Sequence, residues 1–278
     1  MSLHPVGREG ELRLTFAHDA GRTVLTENYS RPPLQVMRAI GDNAGCLCIY
    51  LLSPTGGIVQ GDRYHIRINV GANTHALFTT QSATKVYKMP EGCAEQFIRI
   101  EVERGAIFEF VPDAAILFAD ADLRQHIEVT LHPGALLLLH EIIMPGRLAR
   151  GEYLQFRRYI NRIIVRDDRG LLLHDAAQIE PSLMNLNEAG ILEGYRCWGS
   201  AYLLGDLQAR GIDAAAFCEA HAGLFERPEA LGSISPLYRN GIGVRMLSQR
   251  LETIYAAFHD LRDLVRTQLG LAEAKLRK

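Results

Sequence analysis

Ser82-Ala83-Thr84-Lys85 sets a hydroxyl and an amine three residues apart. In serine acyl-transfer enzymes that spacing opens a helix, which turns the lysine onto the serine. Here the flanking residues 77–80 and 86–87 are strand-forming, and neither Lys-Thr-Gly nor Ser-Asp-Asn occurs in the chain. A hydrolase using Ser82 and Lys85 therefore stays only as an alternative. The stretch Pro54-Thr55-Gly56-Gly57-Ile58-Val59-Gln60-Gly61-Asp62 holds three glycines in nine residues. It lacks both the Gly-Lys-Ser/Thr of a phosphate loop and the G-x-G-x-x-G of a dinucleotide site, which argues against nucleotide binding. It reads as a tight corner between two strands, with Asp62 either a turn acceptor or a carboxylate on a metal path.

Cys46-Leu47-Cys48 puts two thiols on one face of a strand, a pair that could hold a soft metal or serve as small core hydrophobes. The core reading is preferred, because no second C-x-C or C-x-x-C completes a ligand set. His140 adjoins Glu141 and His174 adjoins Asp175, but neighbours on a strand face opposite ways, so neither pair chelates one ion locally. No H-E-x-x-H spacing is present. Imidazoles and carboxylates bind borderline divalent ions, so the pattern leaves room only for dispersed ligands to a transient metal. Phe156-Arg157-Arg158-Tyr159 and Asn161-Arg162 form a basic and aromatic cluster that alternation would place on an open strand face.

The elements that must position these groups are mostly strands. Residues 12–16, 64–70 and 97–102 alternate apolar and polar, 23–29 and 34–40 are rich in β-formers, and 46–52 are almost continuously apolar, as in a strand covered on both faces. Gly71-Ala72, Arg104-Gly105-Ala106 and Pro133-Gly134-Ala135 each separate two such runs. This recurrence predicts stacked β layers, partly solenoid-like. Strands continue over 151–165 and 171–179, with a hairpin turn at Asp167-Asp168-Arg169-Gly170. Beyond Pro181 the spacing becomes helical over 185–208, Asp213 reads as the N-cap of a helix over 214–224, and Asn240-Gly241 marks a hairpin. Leu247, Leu251, Ile254, Phe258, Leu261 and Val265 form one apolar helical stripe. The fold class is mainly β with α (α+β): a layered scaffold over residues 1–180, and a helical and hairpin region over 181–278 packed on it as one continuous unit.

Composition bounds the function classes. The 278 residues are 47% hydrophobic and 22% charged, as in globular chains with a full core. A net charge of −2 gives no global field for nucleic acid or membrane surfaces. The longest aliphatic run, Leu136 to Leu139, is far too short to span a bilayer. Five cysteines with no pairing pattern, and a start at residues 1–5 without a basic then apolar stretch, predict a cytoplasmic protein.

Several ordered segments resemble the urease accessory protein family UreD, also called UreH. They are Arg31-Pro32-Pro33-Leu34-Gln35-Val36, Tyr50-Leu51-Leu52-Ser53 leading into the Pro54 to Asp62 loop, and Ala76-Leu77-Phe78-Thr79-Thr80-Gln81-Ser82-Ala83-Thr84-Lys85-Val86-Tyr87. Pro145-Gly146-Arg147-Leu148-Ala149-Arg150-Gly151-Glu152 and Gly243-Val244-Arg245-Met246-Leu247 complete the set. The resemblance implies a maturation factor that is not an enzyme. It would bind apo-urease and recruit UreF, which brings the GTPase UreG, and together they would deliver Ni²⁺ to the urease active site. It implies no tightly bound cofactor, Ni²⁺ only in transit, and a possible dimer through the UreF complex. It also implies an internal polar tunnel as the route of the ion, with Asp62 the leading carboxylate and Glu141 and Ser82 further candidates. An adaptor that never touches nickel is the alternative within the same family.

Overall fold

The computed structural model describes residues 8–42 and 45–272; the start at residues 1–5 lies outside them. β1 (Glu9–Asp19) turns at Ala20-Gly21 into β2 (Arg22–Arg31), and β3 (Gln35–Val36) and β4 (Ile40–Gly41) lie antiparallel on β5 (Cys46–Leu52). A coiled path follows: β6 (Arg63–Val70), β7 (His75–Thr80), β8 (Thr84–Val86), β9 (Ala94–Val102), β10 (Ile107–Phe110), β11 (Ala115–Leu117), β12 (Asp122–Leu131), β13 (Leu136–Met144). β14 (Arg158–Asp167) and β15 (Gly170–Ile179) form a hairpin. β16 (Cys197–Gly205), α1 (Ala214–His221), β17 (Ala230–Leu237), β18 (Gly241–Ser248) and α2 (Leu251–Gln268) complete the chain.

The coils stack in parallel register. β6, β9, β12 and β14 build a first sheet, bordered by β1–β2 and by β15, and β5, β7, β10 and β13 build a second, extended by antiparallel β16, β18 and β17. The Gly-Ala turns stack as well: the Asn73 amide donates to the Arg104 carbonyl at 3.0 Å, and Gly105 donates to Pro133 at 3.2 Å. A short turn of fixed shape at each coil sets the register, and that register aligns like side chains. Leu14, Ile68, Ile100, Val129 and Val165 form one inward ladder across the first sheet. The facing ladder on the second sheet includes Phe78 stacked on Phe110, their centroids 5.3 Å apart. The first core lies between the sheets, and a second lies between the second sheet and the two helices. β7 and β10 are thus buried on both faces, as parallel strands ordinarily are.

Three expectations are corrected. Residues 197–205 are a strand, not part of a helix. Ala201 and Leu203 face the helices while Tyr202 and Leu204 face the interlayer core, so apart from Ser200 the run carries no polar side chain on either face that would show a strand period. Leu247 belongs to β18, and the apolar stripe of α2 starts at Leu251. The strand expected over 151–165 begins only at Arg158, and the basic cluster before it is not an open face. Phe156 and Tyr159 are buried, while Arg157 and Arg158 both bind the fully buried Asp122, at 2.9 and 2.8 Å. Arg162 alone of that cluster is exposed. Asp213 does cap α1, accepting from the Ala216 amide at 2.8 Å. The β17–β18 turn places Arg239 and Asn240, at φ 59° and 62°, in the left-handed region its hairpin needs, one residue before the Asn-Gly position. Among the described residues no helix is long and apolar enough to cross a membrane.

Candidate functional site

Polar side chains gather between the two sheets, where the ladders elsewhere are apolar. They border a cavity of about 80 Å³ at the end of the sandwich where the first-sheet strands start and the second-sheet strands finish. Tyr64, Gln96, Gln125 and Tyr159 line it from the first sheet, and Thr80 and Glu141 from the second. Ser53 and Asp113 from connecting segments and Thr84 from β8 add further polar groups.

Glu141 is the charged group at its heart. It interrupts β13, where Leu137, Leu139 and Ile143 on the same face pack in the interlayer core. Gln125 and Asn161 sit opposite each other in the β12–β14 register, and both donate side-chain N–H groups to the Glu141 carboxylate. Gln125 also donates to the Asn161 oxygen at 3.2 Å. Burial drives the Glu141 pKa up to about 8, and nearby Asp175 adds to the rise. The two amide donors and Arg245 oppose it. Near neutral pH this group therefore exchanges between acid and carboxylate.

A second polar layer adjoins it. In register, Glu141 lies opposite Ser200 and Ser200 opposite Arg245. Asp175 accepts from the Tyr202 hydroxyl at 2.6 Å and from Arg245 at 2.9 Å. Burial and Asp175 push the Tyr202 phenol up. Asp175 and Arg245 also border an open groove of about 580 Å³ with Ile191, Trp198 and Leu231, so the polar layer runs from the interlayer to the surface.

The other two candidate residues stand differently. Asp62 is buried and does not line the cavity. It accepts from the Arg8 amide at 3.0 Å, the Val59 amide at 2.9 Å and the Tyr64 hydroxyl at 2.6 Å, so it knits the loop and orients a cavity-lining tyrosine. Ser82 is exposed on the β7–β8 connection, and Lys85 is exposed on β8, with no helix to bring them together. The two segments singled out in the sequence do meet: Ile58 donates to the Lys85 carbonyl at 2.8 Å, and Tyr87 donates back to Ile58 at 2.9 Å. Gly57, at φ 152°, makes this contact possible, since a Cβ there would collide with the Lys85 carbonyl.

Gln125 was not singled out from the sequence, and Asn161, Asp175, Tyr202 and Arg245 were met there without being assigned to an interior site. Parity carried the signal for two of them. Gln125 shares its face with Leu123, Ile127 and Val129, and Asn161 shares its face with Tyr159, Ile163 and Val165. A polar residue at an inward position of an otherwise apolar strand marks an interior polar site.

The family model described as UreD urease accessory protein matches residues 8–278. Urease accessory protein UreD of Haloarcula marismortui is 33% identical over 266 residues, covering 95% of this chain and 88% of that protein. The protein of the same name from Cenarchaeum symbiosum is 30% identical, covering 98% of both chains, and Urease accessory protein UreD 2 of Streptomyces griseus is 33% identical over 97% of this chain. With a match over nearly its whole length and these identities, the chain belongs to the UreD family of urease accessory proteins.

Proposed function

We propose that the protein is a cytoplasmic urease maturation factor, a scaffold and not an enzyme, that binds apo-urease and recruits UreF and, through it, the GTPase UreG. Ni²⁺ is its cargo and passes through the interlayer cavity. The observation that carries the nickel part of this reading is Glu141, a carboxylic acid buried between two sheets and poised to exchange its proton near neutral pH. A sandwich interlayer gains nothing in stability from such a group, because burying an ionisable side chain among apolar strands is unfavourable. An incoming divalent ion displaces the proton, is held by the carboxylate, and is released when the proton returns. Gln125 and Asn161 keep the carboxylate in place through either state. Asp175 extends the acidic path toward the surface groove.

Glu141→Gln tests this. The substitution keeps the shape and removes the anion. Co-purification with UreF and apo-urease should persist, while nickel per urease active site after activation with GTP, bicarbonate and Ni²⁺ should fall several-fold. Full nickel loading by the variant would favour the adaptor that never touches the ion. That second reading draws support from Asp62, whose oxygens are engaged by three donors within the chain.

A further inference from the structure

On the face of the second sheet turned away from the cavity, beneath α2, three different donor types converge. Cys46 on β5 pairs in register with His75 on β7, and Glu109 on β10 completes the group. Their ligand atoms all lie within 4.8 Å of one another. The residues are 3%, 7% and 2% exposed. His75 Nε2 meets Glu109 Oε1 at 2.7 Å, yet His75 Nδ1 and Glu109 Oε2 have no hydrogen-bond partner. Burying a polar atom without a hydrogen-bond partner is unfavourable.

Cations from α2 already attend this group. Arg266 donates to Glu109 Oε1 at 2.5 Å and to the Cys46 sulfur. It also donates to Asp42 and to the Ala272 carbonyl, both at 2.8 Å. Arg262 Nε stands 4.0 Å from Glu109 Oε2, and the same guanidinium reaches Asp263 at 3.3 Å. An ion pair between Arg266 and Glu109 needs neither the thiol nor the imidazole. Thiol, imidazole and carboxylate together are the donor set of a borderline divalent transition metal, and a poor one for Ca²⁺ or Mg²⁺, which prefer all-oxygen shells.

We propose that Cys46, His75 and Glu109 form a binding site for one borderline divalent ion of the Zn²⁺, Co²⁺ and Ni²⁺ class, distinct from the cavity around Glu141. The ion takes the place of the Arg266 guanidinium against Glu109 and Cys46. Arg266 keeps Asp42 and the Ala272 carbonyl, so it is displaced without being orphaned. Cys46 gives its proton to solvent and binds as thiolate, so the pocket gains one net positive charge, which neutralises the excess of Asp42, Glu109 and Asp263 over Arg262 and Arg266. Cys48 lies on the same strand face but opposite Leu77, outside the group, and serves as an internal control.

Co²⁺ titrated into the purified full chain should give a near-ultraviolet thiolate-to-metal charge-transfer band that saturates at one equivalent. Cys46→Ser should abolish the band, and Cys48→Ser should leave it. Zinc X-ray absorption on the unmodified chain needs no variant to fold, and should show a single sulfur among nitrogen and oxygen ligands. A missing band, a band that survives Cys46→Ser, or a zinc shell without sulfur would each overturn the site. These readouts do not involve urease, so they stand or fall separately from nickel loading through Glu141.

Discussion

Glu141 has a chemical consequence that can be read without any partner protein. Its pKa is about 8 in the folded chain, against an ordinary 4.5, because burial disfavours the anion. Between those values the folded chain holds a proton that the unfolded chain has released, so this group's contribution to stability is intact below pH 4.5 and is lost as pH rises to about 8. Glutamine at this position does not titrate. In metal-free urea denaturation, the stability difference between Glu141→Gln and the unmodified chain should therefore move in the variant's favour across that window, by on the order of a few kcal/mol, and stay level above it. A difference independent of pH would mean that the carboxylate is charged throughout. Asp62 is a buried carboxylate given donors by Val59 of its own loop, by the Arg8 amide and by the Tyr64 hydroxyl, which ties down the corner at Pro54 to Asp62 and aims Tyr64.

At the scale of elements, α2 decides how the second sheet is covered. Its stripe of Ile254, Phe258, Leu261 and Val265 buries against that sheet, and Gly199 lets it approach, since a Cβ there would press on Ile254 and Phe258 at 2.9 Å. The other end is held by charge. Arg266 and Glu109 are 2% exposed each, and removing Arg266 takes from the buried Glu109 its closest cation, leaving it His75 and the more distant Arg262. Arg266→Ala should cost about 3–5 kcal/mol in a denaturant melt, and Arg266→Ala combined with Glu109→Leu should recover most of it. A loss below about 1 kcal/mol for the single variant would show that the pair does not anchor the helix. The expected helix over 185–208 and the observed β16 differ for a reason at this same scale. A strand covered by the interlayer core on one side and by α2 on the other is apolar on both faces save Ser200, and length alone does not separate it from a buried helix.

For the molecule as a whole, the parallel coils make the centre the most protected part. β7, β10 and β13 have both neighbours and both faces covered, whereas β17 and β2 are sheet borders with alternating exposure. Hydrogen exchange should follow that order, with amides of β10 opening only in global unfolding and those of β17 exchanging through local opening. Equal rates in the two strands would argue against a single cooperative stack. The open groove beside Asp175 lies at the less protected side of this arrangement, lined by β15, β16, β17 and β18.

Local order was legible from the residues themselves. Alternation in 64–70, the three Gly-Ala corners, the Asp167 to Gly170 hairpin, the Asp213 cap and the α2 stripe are each written by nearest-neighbour sterics and by the period of burial. Glu141 entered only as the neighbour of His140 and as a candidate that the family resemblance implies, while Cys46 and Cys48 were legible as two thiols on one face. The tertiary structure alone decided what those groups meet. Gln125 and Glu141 come from the two facing strands of one coil and Asn161 from the next, while Cys46, His75 and Glu109 come from three successive strands of the second sheet, and their meeting depends on the stagger between coils. That stagger is set by how the corner turns stack and how long each connection is, and neither is recorded in the periodicity of any one strand.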